Sequence, residues 1–184
     1  MKILGIDPGT TIMGFALIEI QNKKAELLTM GVVKLSKFPD HYTKLKRIFE
    51  KTLGLIEHYR PEILAVEAPF YGKNPQSMLK LGRAQGIVIA VSLSQSLSVF
   101  EYSPKKIKQS ITGNGNASKE QVAAMLKNMN LFVDNPSYLD ATDALAVAVC
   151  HHLQNKINVT EAKYNSWKKF LSENEDRILE KRKG

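Results

Sequence analysis

The spacing of the hydrophobic residues changes along this chain from strand-like to helical and back, and the order of these changes limits the folds that the chain can adopt. Residues 2–6, 12–20 and 25–35 are short apolar runs separated by turn residues, which predicts three strands joined as an antiparallel meander. The spacing becomes helical over residues 40–59. Strands are then predicted at 63–66 and 97–102, with a helix over 77–95 between them. The order predicts an α/β fold, a mixed five-stranded sheet flanked by helices.

The second half of the chain is predicted to be helical. Pro104 opens a short helix, and Ser118 with Gln121 forms a capping-box pattern for another helix ending near residue 129. Residues 140–153 are apolar nearly all round, which predicts a central helix. We expect a single domain over residues 1–155. Residues 156–184 are rich in Lys, Glu and Asn and are predicted to be a helical or flexible C-terminal tail.

Composition excludes several classes of protein. With 184 residues, 43% hydrophobic and 24% charged, the chain is typical of one globular domain. Its single cysteine, Cys150, allows neither an internal disulfide nor a cysteine-based zinc site. The longest apolar stretch, residues 86–93, is too short to span a bilayer, and the N-terminus lacks the pattern of a signal peptide. We therefore expect a cytoplasmic protein with no membrane partner.

Four acids stand at informative positions. Asp7 and Glu67 follow apolar strands, and Asp140 and Asp143 are three residues apart on one helix face. Each acid alone has a purely structural interpretation, as a turn residue, a solvated strand end or a helix cap. Together they indicate a common edge of the sheet, because three apolar elements each deliver an acid there.

Converging carboxylates cannot all stay ionised without a partner, so either their pKa values rise or cations bind. Two of them about 4 Å apart repel by roughly 4 kcal/mol at an effective dielectric constant near 20, and no Lys or Arg of these motifs is obviously placed to neutralise them. Oxygen ligands favour Mg²⁺ or Mn²⁺, and a pair of such ions suits phosphodiester hydrolysis. The chain contains no G-x-S-x-G, H-E-x-x-H or P-loop motif. We interpret His151 and His152 as helix-end residues rather than ligands.

Basic charge is concentrated in one part of the chain. Of the net charge of +8, residues 73–119 contribute +6, which indicates a surface that contacts phosphates. Two aromatic residues in a predicted loop, Phe70 and Tyr71, could stack on unpaired bases. A solvated helix face and a packed loop are the corresponding structural alternatives. The basic candidates for DNA binding are Lys73, Lys80, Arg83, Lys105, Lys106, Lys108 and Lys119.

Four segments together resemble the RuvC family of Holliday-junction resolvases. They are residues 3–9 (ILGIDPG), 66–70 (VEAPF), 80–86 (KLGRAQG) and 140–146 (DATDALA). The resemblance extends over about residues 1–155. It implies a ribonuclease-H-like fold and a homodimer that makes paired, symmetric nicks in opposed strands of a four-way DNA junction. The implied reaction uses Mg²⁺, with two ions per subunit and Mn²⁺ as a possible substitute, and leaves 5′-phosphate and 3′-hydroxyl ends.

The resemblance also assigns roles to residues. The catalytic, metal-binding acids of the family fall on Asp7, Glu67, Asp140 and Asp143. Its junction-opening aromatic residue falls on Phe70, and its DNA-binding lysines fall on Lys108 and Lys119. The family acts in recombination and repair with the RuvA–RuvB branch-migration complex.

Three other functions fit parts of the sequence. Residues 5–11 (GIDPGTT) resemble the phosphate loop of actin-like ATPases, but this length leaves no room for their second lobe. A YqgF-like nuclease would share the fold and act on RNA. A non-catalytic module would bind DNA in a salt-sensitive manner, indifferent to Mg²⁺.

Overall fold

A computed structural model gives the fold of the chain. It describes residues 1–69, 74–131 and 139–161, with side chains described as far as residue 155. The strands are β1 (Lys2–Asp7), β2 (Ile12–Gln21), β3 (Lys24–Lys34), β4 (Ile63–Glu67) and β5 (Ser98–Tyr102). The helices are α1 (His41–Tyr59), α2 (Pro75–Ser94), α3 (Pro104–Thr112), α4 (Lys119–Asn128) and α5 (Leu139–Glu161). The predicted mixed five-stranded sheet with flanking helices is confirmed.

The sheet has the strand order β3-β2-β1-β4-β5. Strands β1, β2 and β3 pair antiparallel, as the predicted meander requires, whereas β4 and β5 run parallel to β1. The parallel pairing follows from the connections, because α1 leads into β4 and α2 leads into β5. Consequently β1, β4 and β5 all end at the same edge of the sheet.

The two faces of the sheet bury different residues. Along β1, Leu4 and Ile6 belong to a hydrophobic cluster with residues of α1 and α2, such as Ile48 and Val88. Because side chains alternate along a strand, Gly5 faces the opposite side, where α5 packs. Nearly every residue of α5 from 141 to 152 is buried, which confirms the prediction of a central helix.

Helix ends agree with the sequence except at the start of α2 and at the end of α5, which continues to Glu161 instead of ending near residue 153. Ser118 and Gln121 form the predicted capping box at the start of α4. Helix α2 was predicted to begin at Ser77 but begins at Pro75, after an Asn74 N-cap whose side chain accepts hydrogen bonds from the backbone N–H groups of Gln76 and Ser77. The reason is local: Asn at the cap and Pro at the first helical position together form a start signal.

The chain divides into two compact units, Met1–His152 and Leu153–Gly184. The functional candidates that are described all lie in the first unit. The second unit begins with the last turns of α5, and residues 162–184 lie outside the described part, so the predicted tail over 156–184 stays a prediction. No described helix combines the length and apolar character needed to cross a membrane.

Candidate active site

Two of the four candidate acids are brought together by parallel strand pairing. Asp7 is the last residue of β1 and Glu67 is the last residue of β4. The register pairs Ile6 with Val66, so the next residue on each strand is one of the acids. Both side chains lie on the α5 side of the sheet because of the alternation along the strands. The expectation that these acids share an edge is therefore met.

Helix α5 delivers the other two acids, and two glycines set how closely it approaches. A Cβ atom at Gly14 would overlap the backbone carbonyl of Asp140, and one at Gly5 would lie 2.8 Å from the Cβ of Ala148. Gly14 is the pairing partner of Asp7 across β1 and β2. The first turn of α5 therefore rests on the sheet directly beside Asp7. Neither glycine was among the site residues predicted from the sequence.

A cavity of about 760 Å³ opens at this edge. Asp7, Glu67 and Asp143 line it, together with residues of α3 and α4. Asp140 is not among the lining residues, although its charge acts on Asp7. The structure thus gathers three of the four acids in one cavity and places Asp140 beside it.

Burial and mutual repulsion disturb the acids. Burial, then the charges of Glu67 and Asp143, raise the pKa of Asp7 from 3.8 to about 7. Burial, then Asp143, raises the pKa of Glu67 from 4.5 to about 6. The negative charge of the cavity is therefore incompletely compensated by the chain itself. Groups with such shifts in a cavity are typical of functional sites.

One lysine partly compensates this charge, contrary to the expectation that none was placed to do so. Lys119, the first residue of α4, forms an ion pair with Asp143. Burial opposes the charge on Lys119, but the hydrogen bond and the attraction of Asp143 outweigh it, so its pKa is raised. Asp143 is only 16% exposed, which strengthens the pair. The sequence hides this contact because 24 residues separate the partners.

The donor set of the site fits hard divalent cations. All four candidates offer carboxylate oxygens, which Mg²⁺ and Mn²⁺ prefer, and the raised pKa values of Asp7 and Glu67 reflect negative charge that a cation would relieve. Within the described ranges no three His, Cys, Asp or Glu side chains are already arranged as a metal site. The acids would therefore have to turn toward each other, and Asp143 away from Lys119, to hold an ion.

The structure divides the basic candidates into groups. Lys105, Lys108 and Lys119 line the cavity, and Lys108 lies close enough to Glu67 to lower its pKa against the effect of burial. Lys80 and Arg83 are exposed on α2 and Lys106 is exposed on α3, and none of the three is among the residues that line the cavity. Phe70, Tyr71 and Lys73 lie outside the described residues.

The interpretation of His151 and His152 as helix-end residues is wrong. Both are buried within α5, because the helix continues to Glu161. The Nδ1 atom of His151 lies 2.8 Å from the hydroxyl of Tyr102, and its ring packs on Phe100. His151 thus ties α5 to β5 and does not line the acidic cavity.

Comparison with known proteins identifies the family. Residues 3–151 match the family described as crossover junction endodeoxyribonuclease RuvC. The RuvC of Cytophaga hutchinsonii is 56% identical over 176 residues, covering 96% of this chain and 87% of the relative. The RuvC of Bacteroides fragilis is 53% identical over 178 residues, covering 96% and 95%.

Solved structures agree with this match. Thermus thermophilus RuvC in complex with Holliday junction substrate is 33% identical and superposes with a TM-score of 0.77, covering 86% of this chain and 96% of that one. The expected ribonuclease-H-like fold is confirmed by such neighbours, and the ATPase and YqgF-like alternatives are not favoured. A chain that combines this match with acids at the shared ends of β1 and β4 belongs to the RuvC family of crossover junction endodeoxyribonucleases.

Proposed function

We propose that this chain resolves four-way DNA junctions in recombination and repair, by paired symmetric nicks in opposed strands. The observation that carries the proposal is the gathering of Asp7, Glu67 and Asp143 in one lysine-rimmed cavity of a RuvC-family chain. A relative of the same fold is solved in complex with Holliday junction substrate. The same cavity supports hydrolysis of a phosphodiester, since its acids suit cations and its lysines suit phosphate.

The four acids would hold two Mg²⁺ ions, for which Mn²⁺ could substitute. We assign Asp7 to both ions, because β1 lies between β4, which carries Glu67, and β2, on which the first turn of α5 rests. Glu67, Asp140 and Asp143 would complete the ligand sets. When bound, such ions make water a competent nucleophile for in-line attack and stabilise the leaving 3′-oxygen, giving 5′-phosphate and 3′-hydroxyl ends.

The lysines of the cavity would hold the scissile strand. Lys105 and Lys108 on α3 face the acids across the cavity, at a position suited to the non-bridging oxygens of a phosphate. Lys119 would move from Asp143 to DNA when the acids are occupied by cations. Lys80, Arg83 and Lys106 would extend the phosphate-contacting surface, and Phe70, Tyr71 and Lys73 stay predicted contacts to opened bases and backbone.

We further propose that the chain acts as a homodimer that associates through α2. Leu79 and Leu93 are 63% and 58% exposed and share one helix face with Gly82 and Gly86. A Cβ at either glycine would meet no other atom of the described chain within 4 Å, so packing within one subunit does not explain them. A second copy of α2 would bury the leucines and use the glycines for close approach. Two-fold symmetry would then give one active site to each of two opposed strands.

The cellular setting follows from the family. We expect the chain to work in the cytoplasm with the RuvA–RuvB branch-migration complex. Its one cysteine, Cys150, is free and buried, as suits a reducing compartment.

The test is cleavage of a synthetic four-way junction in Mg²⁺, with a linear duplex of the same sequence as control. We expect paired nicks at symmetric positions in opposed junction strands, religatable without further treatment, and intact duplex. Asp7→Asn should bind the junction without cutting it. Equal cutting of duplex and junction, or cutting by Asp7→Asn, would contradict the proposal.

A further inference from the structure

A buried amide on α2 is bonded to the strand that carries Glu67. Gln85 is only 6% exposed, and Ala84 and Val88 on the same helix belong to the hydrophobic cluster that packs α2 on the sheet. Its Nε2 atom donates one hydrogen bond to the backbone carbonyl of Glu67, at 3.2 Å, and another to Oε2 of Glu101, at 2.8 Å. A buried polar side chain is costly unless it is bonded, and here both amide protons are used.

The pairing of β4 with β1 ends at Val66, and the bonds of Gln85 hold the strand beyond that point. Beyond Glu67, the N–H of Ala68 still donates to the carbonyl of Tyr102 on β5, at 2.9 Å, which fixes one side of the strand end. The carbonyl of Glu67 is the next backbone acceptor, and it is Gln85 that satisfies it. The backbone from which the Glu67 side chain projects is therefore held by β5 and by α2 together.

Gln85 and the Glu67 carboxylate lie on opposite faces of the sheet. Helix α2 packs on the face of Leu64 and Val66, whereas the Glu67 side chain lines the cavity on the α5 face. Gln85 is not among the residues that line the cavity, although Leu81, one turn earlier on α2, is. The observed link from Gln85 to the cavity is its hydrogen bond to the Glu67 backbone.

We propose that Gln85 is a positioning residue for junction cleavage, which fixes Glu67 by bridging its carbonyl to the Glu101 carboxylate on β5. This role rests on the proposed function, in which Glu67 is a ligand. It also joins the catalytic strand to α2, the helix to which we assign dimer formation. A ligand displaced by a fraction of an ångström binds its ion less well, and small displacements cost rate more than they cost substrate affinity.

The test compares Gln85→Leu with a matched control on the same helix. Leu has a similar volume and a high helix propensity but donates no hydrogen bond. Ser92→Ala is the control, because Ser92 is fully buried on α2 and its hydroxyl donates a hydrogen bond within the helix, to the carbonyl of Val88 at 2.9 Å. Both variants remove the hydrogen bonds of a buried side chain on α2, but only those of Gln85 reach the sheet, at β4 and β5.

Three quantities are measured: the single-turnover cutting rate on saturating junction, the Kd for the junction, and the Kd for Mn²⁺ of the DNA-free protein by calorimetry. For Gln85→Leu we expect a rate about 10- to 100-fold lower, an unchanged junction Kd and a severalfold weaker Mn²⁺ Kd. Ser92→Ala should match the wild type in all three. Wild-type rate and Mn²⁺ affinity in Gln85→Leu, or equal losses in both variants, would overturn the proposal.

Variants of Glu101 keep the test decisive if Gln85→Leu does not fold. Glu101 is exposed, so its replacement does not threaten the core. Glu101→Ala should slow cutting severalfold and Glu101→Gln, whose amide oxygen still accepts the bond, should restore it. Equal rates for Glu101→Ala and wild type would contradict the bridge. If the wild type itself does not cut junctions, the proposed function fails, whereas the Mn²⁺ comparison still tests the bridge.

Discussion

The replacement of Asp7 by Asn should make the metal-free protein more stable while it destroys activity. Folding raises the pKa of Asp7 from 3.8 to about 7, because of burial and the neighbouring charges of Glu67 and Asp143. Between these two values the folded chain keeps a proton that the unfolded chain releases. The contribution of Asp7 to the free energy of unfolding is therefore fully present below pH 3.8, falls between pH 3.8 and about 7, and stays at its lowest value above that.

The size of the effect follows from the shift. Each pKa unit corresponds to about 1.4 kcal/mol, so the ionised Asp7 side chain costs the folded protein up to about 4 kcal/mol above pH 7. Asn carries no charge and avoids this cost, although its amide must find partners in the same place. We expect a net gain of about 2–4 kcal/mol, which for a chain of this length raises Tm by about 5–15 °C.

The assay is thermal unfolding in EDTA at a series of pH values, followed by circular dichroism. The advantage of Asp7→Asn over wild type should be small near pH 4 and largest above pH 7. Asp40→Asn is the control, since Asp40 is exposed and its pKa is lowered by hydrogen bonds from Thr43; that variant should gain nothing at high pH. Added Mg²⁺ should stabilise the wild type and not Asp7→Asn. A variant that is no more stable than wild type at any pH would refute the electrostatic reasoning.

Three further predictions concern packing, DNA and assembly. Gly14→Ala should lower the free energy of unfolding by about 1–3 kcal/mol and slow cutting, because the added methyl group overlaps the Asp140 carbonyl. Gly54→Ala is the control, because a methyl group there meets open space, and it should raise the free energy of unfolding by about 0.5–1 kcal/mol. Equal effects of the two substitutions in chemical denaturation would count against the close approach of α5. Lys108→Ala should weaken junction binding and reduce the slope of the logarithm of the binding constant against the logarithm of salt concentration by about 1. Lys46→Ala on α1 is the control and should change neither quantity. An unchanged slope for Lys108→Ala would show that Lys108 does not contact a phosphate. Leu93→Glu should yield monomers in light scattering, unlike Leu28→Glu on β3, and a dimeric Leu93→Glu protein would place the interface elsewhere.

The sequence predicted the convergence of the acids because strand ends are local features with a global consequence. Asp7 and Glu67 each terminate an apolar run, and parallel pairing of those runs is enough to bring them to one edge. The pair of acids on α5 could be predicted to share a face from their spacing. Their approach to the sheet could not, because it depends on Gly5 and Gly14 meeting backbone atoms of a helix about 130 residues away.

Contacts between distant residues account for the other differences. Two contacts depend on how the helices pack against the sheet: the ion pair of Lys119 with Asp143 and the hydrogen bond of Gln85 to β4. Local sequence patterns do not predict this packing. The start of α2 is a different case, because Asn74 and Pro75 form a cap signal that is visible in the sequence. The interpretation of His151 and His152 as helix-end residues was wrong because α5 continues to Glu161, beyond the end predicted from the sequence.

The most direct test of the account is a crystal structure of the DNA-free protein soaked in Mn²⁺, with anomalous scattering recorded at the manganese edge. We predict an anomalous peak in the cavity within about 2.0–2.4 Å of carboxylate oxygens of Asp7 and of at least one of Glu67 and Asp143. Lys119 should then have left Asp143. An ordered protein with no peak at Asp7, at Mn²⁺ concentrations that support cutting, would contradict the assignment of these acids as the metal site.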